Sequence, residues 1–165
     1  MSDAAEPKEV STVKPSMLSF FRQKYVIEKA LWDLYQITDE KGKYAERLVA
    51  EALGAKIMAN GTERGHDLVH PIYKRIEVKS RKKPLGIRKE NRATLNDKKR
   101  HHFEHFVHVS FGSDYTVVGA YILPHDTAFK LHDSTTSHHF QFNKGAAMGD
   151  ATDITAQVIA AQTRL

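Results

Sequence analysis

The chain of 165 residues contains no cysteine, which excludes disulfides, thiolate-ligated zinc, iron–sulfur clusters and thiol nucleophiles. No apolar run approaches the roughly 18 residues of a membrane span, and residues 1–16, polar and mixed in charge, lack the hydrophobic core of a secretory signal. The expectation is a cytoplasmic protein with no membrane association. No glycine-rich loop precedes a lysine, so no nucleotide cofactor is expected, and no nucleophile-elbow sequence supports serine hydrolysis. Internal repeats and low-complexity tracts are also missing. Finally, one stretch is short of acids. Between Lys74 and Arg100 stand twelve basic residues and only three acidic ones, Glu77, Glu90 and Asp97, whereas the rest of the chain has thirteen basic and seventeen acidic. A basic window in an otherwise mildly acidic protein points to a polyanionic partner.

What is present reads as one α/β domain over residues 17–165, behind a flexible lead-in of residues 1–16. Met17–Ile37 has helical spacing, with Phe20, Phe21, Ile27, Leu31 and Leu34 offering a buried stripe and Trp32 a packing anchor. A second helix spans about Lys43–Leu53, where Ala45, Leu48, Val49, Ala52 and Leu53 follow i, i+3, i+4, i+7, i+8 and Gly54 supplies the stop. Strands are predicted at Ala55–Asn60, His66–His70 and Tyr73–Ser80, the last two joined in a hairpin at Pro71. Ile87–Arg100 has weak helical character. Phe103–Phe111 and Tyr115–Leu123 form a second hairpin about Gly112-Ser113-Asp114. Lys130–Gly149 is loop-like, and Asp153–Gln162 is a closing helix. That order predicts a mixed β-sheet of about five strands flanked by helices.

The chemistry gathers on the first hairpin. Strand side chains alternate faces, so Glu77 and Lys79 share one side and Ile76 and Val78 the other. Folding at Pro71 brings Asp67 toward the Glu77–Lys79 pair. Two carboxylates beside an ammonium suit a hard divalent cation next to a reacting phosphate, because magnesium takes oxygen ligands and typically one or two protein carboxylates. Upstream, Glu46 falls at the edge of the second helix's apolar stripe, within reach of the sheet.

A Gly42-x-x-Ala45-Glu46 helix, a Gly65-x-Asp67-apolar strand, then Glu77-Val78-Lys79 ten residues after the aspartate, resembles the PD-(D/E)XK nuclease superfamily. Type II restriction endonucleases, archaeal-type Holliday-junction resolvases and several repair nucleases are in that group. The match covers Gly42 to Ser80; His66 stands where the pattern has proline. The resemblance implies a restriction endonuclease-like core, metal held by Glu46, Asp67 and Glu77, and Asp67, Glu77 and Lys79 as the catalytic set. It implies Mg²⁺, with Mn²⁺ able to substitute, and hydrolysis of DNA phosphodiesters, first as a restriction-type enzyme and otherwise as a junction resolvase or repair nuclease. A DNA-binding module without turnover is the reading from another class.

The cations beyond the site, Arg81, Lys82, Lys83, Arg88, Lys89, Arg92, Lys98 and Lys99, suit phosphate contacts; Arg88 and Arg92, at i and i+4, share a helix face in this reading. His101 and His105 lie in a stretch too rich in Phe and Val for a zinc helix, and His138-His139 with Asn143 lacks the further histidine of a histidine–asparagine nuclease motif. Cutting two strands takes two active sites, so a symmetric homodimer is expected, with Met17–Ile37 as its interface.

Overall fold

The computed structural model describes residues 16–37, 40–58, 65–83, 92–95, 98, 100–134, 139–141 and 149–165. The chain divides into two compact units, Met1–Thr38 and Asp39–Leu165. In the first, helix α1 (Met17–Tyr35) starts where the Ser16 hydroxyl accepts from the Ser19 N–H at 3.2 Å and stops at Gln36, which takes a left-handed conformation (φ 55°). The expected buried stripe is not there. No residue of α1 is buried, Phe20, Phe21, Ile27 and Leu34 are exposed, and Trp32 packs into no core. Its apolar side chains cover most of the helix circumference, too wide an arc for one sheet face to cover.

In the second unit, α2 (Glu40–Leu53) presents a single apolar face. Ala45, Leu48 and Val49 are fully buried, each larger side chain contributing about 2 kcal/mol. Gly54, at φ +68°, ends the helix in the left-handed turn that suits glycine. Eight strands are described: β1 (Lys56–Ile57), β2 (Leu68–His70), β3 (Lys74–Lys82), β4 (Arg92–Thr94), β5 (His105–Phe111), β6 (Val117–Pro124), β7 (His139–Gln141) and β8 (Thr152–Asp153). Six make one mixed sheet in the order β1-β2-β3-β5-β6-β8, with β3 and β5 parallel and the other neighbours antiparallel. The two remaining strands, β4 and β7, pair with each other. Two further helices, α3 (His125–Asp133) and α4 (Thr155–Gln162), complete the α/β arrangement.

The pleat sends alternate residues of β3 to opposite faces of the sheet. Ile76 and Val78 join Val107, Val109, Phe111, Ala120 and Ile122 under α2 and α4. On the other face Phe106 and Leu123 pack with Leu95, Phe103, Ala128 and Phe129, under α3. Gln162 of α4 stitches the first layer together: its amide donates to the Tyr44 hydroxyl and its carbonyl accepts from the Val117 N–H, at 2.8 and 3.0 Å.

Besides β8, which pairs with β6 where the closing helix was expected to begin at Asp153, two segments depart from the sequence reading. Arg92–Thr94, inside the stretch expected to be weakly helical, is a strand because it finds β7 some 45 residues away, a long-range pairing that overrides local propensity. The expected loop from Lys130 begins instead with the end of α3 and later contains β7.

Candidate active site

The site forms where β2 gives out beside β3. The β2–β3 ladder pairs Leu68 with Ile76, Val69 with Arg75 and His70 with Lys74. One residue earlier, the Asp67 N–H still donates to the Ile76 carbonyl at 2.9 Å. Its side chain then takes the place of a strand partner: Asp67 Oδ2 accepts from the Val78 N–H at 2.8 Å. That bond aims the carboxylate at β3 between Glu77 and Lys79.

Glu77 is only 1% exposed, and its Oε1 lies 2.5 Å from Lys79 Nζ, whose side chain is 40% exposed. The acid is thus inside and its ammonium partner reaches toward solvent. Glu46 is buried on α2, held by Lys43 at 2.9 and 3.1 Å. The Asp67 carboxyl is pushed up to about 6 from its ordinary 3.8. Burial is the largest cause and the Glu77 charge next; the Val78 N–H opposes them, Glu46 raises it further, and Lys79 lowers it. Three carboxylates, offset by two ammoniums, Lys43 on Glu46 and Lys79 on Glu77, leave one surplus negative charge in the cluster.

That donor set is all oxygen, as a hard divalent cation requires, and magnesium needs only one or two carboxylates with its remaining positions left to water and substrate. Among the described residues, no three His, Asp, Glu or Cys side chains stand close enough together to hold an ion by themselves. Glu46, Asp67 and Glu77 therefore share a field without forming a closed cage.

A row of polar side chains leads away from Lys79 across the sheet. In register, Lys79 neighbours His108, His108 neighbours Tyr121, and Tyr121 neighbours Asp153. His108 is 1% exposed with Ser110 Oγ at 3.4 Å from Nδ1. Burial, then the Arg81 charge, lowers it to about 3 from an ordinary 6.5, so it is neutral at pH 7. Sequence reasoning gave this histidine no particular role. The signal was present in Phe106-Val107-His108-Val109-Ser110, whose polar residues recur at period two on the face of Glu77 and Lys79.

Behind Asp67 the turn is fixed by close packing. Gly65 has φ +70°, and a Cβ on it would overlap the His102 side chain, with Cβ and Cγ both within 2.5 Å.

Of the expected phosphate-binding cations, Arg81, Lys83 and Lys98 are exposed, while Lys82 lies over the Tyr115 ring at 3.8 Å. Arg92 is a β4 residue, which removes the helix face it was expected to share with Arg88. Arg88, Lys89 and Lys99 lie outside the described residues, as do His138 and Asn143. Other cations of the basic window are engaged internally: Arg75 with Glu104 at 3.0 Å and Arg100 with Asp133 at 2.9 Å. Among the described residues, the usable positive surface is therefore narrower than the sequence count implies.

No protein-family model matches the chain, and no curated protein matches its sequence. What the observations establish is an α/β protein with a mixed six-stranded sheet, a buried acidic cluster at the β2–β3 junction, and, among the described residues, no helix long and apolar enough to cross a membrane.

Proposed function

We propose that this protein is a metal-dependent endonuclease acting on DNA phosphodiesters, built on a restriction endonuclease-like core. The observation that carries the reading is the junction itself: Asp67, tied to the Val78 N–H, and Glu77, tied to Lys79, form a buried carboxylate pair in which burial first and the Glu77 charge second raise the Asp67 pKa. Such a pair is costly in a core unless a cation neutralises it.

Mg²⁺, with Mn²⁺ as its substitute, would be held by Asp67 and Glu77, with Glu46 adding its charge to the same field, and when bound would supply Lewis acidity toward the phosphoryl group and a lowered pKa for water. The chain's own groups do the rest. The Val78 N–H holds the Asp67 carboxylate in one orientation. The Lys79 ammonium, positioned by Glu77 and open to solvent, donates to the attacking water or a non-bridging phosphoryl oxygen and offsets the negative charge that grows as the P–O ester bond breaks. Arg81 and Lys83, exposed on the strand that carries the site and just past its end, lie where phosphates flanking the scissile bond would be bound.

The test is conversion of supercoiled plasmid to nicked and linear forms with Mg²⁺, in parallel with Lys79→Ala. Cleavage by the wild type and its loss in the variant support the reading. A wild type inert on plasmid, single-stranded and branched DNA, or a variant that cuts equally well, would falsify it. Discrete bands identify a restriction-type enzyme, and cutting confined to a four-way junction a resolvase.

A further inference from the structure

Helix α1 leaves unburied what a globular protein normally hides. Ten large apolar side chains on it, from Met17 to Tyr35, are between 41% and 76% exposed, on the order of 1,000 Å² of apolar surface against the few hundred Å² of a typical monomer's largest patch. The core clusters of the Asp39–Leu165 unit contain none of its residues.

The spacing of the side chains says what fits it. Met17, Phe20, Lys24, Ile27, Leu31 and Leu34 succeed one another at intervals of three, four, three, four and three. That is the a/d repeat of a two-helix seam, with one charged residue in it. Lys24 decides the orientation. In a parallel pair Lys24 would meet its own copy in the seam, charge against charge. In an antiparallel pair of the same register, Met17 faces Leu34, Phe20 faces Leu31 and Lys24 faces Ile27, one residue from the other copy's Glu28. Within one helix Lys24 already pairs with Glu28 at 3.1 Å, so the antiparallel arrangement adds a second carboxylate to each ammonium. Phe21 and Glu28 flank one side of the seam and Gln23 and Ala30 the other, so no like charges oppose each other there. Antiparallel neighbours also set each helix's positive N-terminal end beside the other's negative C-terminal end. Covering half of the exposed apolar surface on each copy buries about 1,000 Å² in total, the lower bound of a specific interface.

We propose that α1 is a dimerisation arm: it pairs antiparallel with α1 of a second copy of this chain through the Met17, Phe20, Ile27, Leu31, Leu34 seam. This uses nothing of the Asp67 chemistry and stands or falls apart from it.

Sedimentation of the full chain over a concentration series is expected to give a dimer, and Leu31→Asp, which sets a carboxylate against Phe20 of the other copy at two places in the seam, to weaken association on the order of 100-fold. Because the chain has no cysteine, orientation can be read with single substitutions and a short bis-maleimide. Ile27→Cys, near the two-fold axis, cross-links to its copy. Leu34→Cys does not, since its two copies lie about 25 Å apart along an antiparallel pair at 1.5 Å per residue. Cross-linking at both positions means a parallel pair and overturns the proposal. So does a monomeric wild type, whether its α1 proves inert or binds anionic phospholipid vesicles as an interfacial helix, and so does a dimer untouched by Leu31→Asp.

Discussion

The two faces of β3 divide the molecule's work. Ile76 and Val78 point under α2 and α4 into a layer of buried apolar side chains, while Glu77, Lys79 and Arg81, interleaved with them, face a layer that also contains His108 and Ser110. The first face meets the usual requirement that buried side chains carry no unmet polarity. The second buries a carboxylate beside Phe106 and keeps a histidine neutral by desolvation. One strand can hold both because the pleat separates neighbours in sequence onto opposite sides. Stability and chemistry are then controlled by alternating residues, which makes them separable by substitution.

The sharpest break between the faces is expected from Glu77→Ala. Removing the proposed carboxylate ligand is expected to lower Mg²⁺-dependent nicking by about 10³-fold, on the order of 4 kcal/mol of transition-state stabilisation, while the melting temperature in EDTA does not fall. A drop in both would mean the polar face is structural. The mirror experiment is Ile76→Ala, which leaves a cavity in the apolar layer and costs about 3 kcal/mol in urea unfolding, with residual activity tracking only the folded fraction.

Asp67→Asn separates the faces by sign. The carboxyl is raised to about 6 in the folded chain, so between about pH 4 and 6 the native state holds a proton that the unfolded state has released. Metal-free stability therefore falls as pH rises through that window and is lowest above it. The asparagine still accepts from the Val78 N–H but carries no charge; it is expected to raise stability at pH 7 by on the order of 2 kcal/mol in EDTA while abolishing cleavage. Equal or lower stability would count against a carboxylate cluster under repulsion.

His108 has the opposite slope. Its folded pKa is about 3, so below pH 6.5 the unfolded chain takes up a proton the native one refuses, and stability is lost as pH falls toward 3. His108→Leu should flatten that acid limb, by about 2 kcal/mol at pH 5, with little change at pH 7. This is the smallest effect at neutral pH and the easiest to distinguish by its direction.

Part of this is legible in the sequence. The period of Ala45, Leu48 and Val49 marks α2 because one narrow arc of the helix is apolar, and the Pro71 turn brings Asp67 to β3 because a short hairpin leaves few registers. Helix α1 misled because abundance of apolar residues signals that a surface will be covered, not by what. Arg92 and His139 gave no local sign of β4 and β7, since each strand is three residues long and is defined only by its distant partner. The Lys79–His108 neighbourhood depends on β3 and β5 being adjacent in the sheet, information that spacing along the chain does not carry.

Gly65 has a consequence for anyone mapping this protein by saturation mutagenesis. With φ at +70° and the His102 side chain filling the space where a Cβ would be, every replacement there strains the turn two residues ahead of Asp67. In an activity screen the position will score as intolerant as the carboxylates themselves, though it contributes no reacting group. Paired selection would unmask it: shortening the obstacle with His102→Gly should restore some tolerance to alanine at Gly65, whereas no second-site change of that kind can replace a missing Asp67.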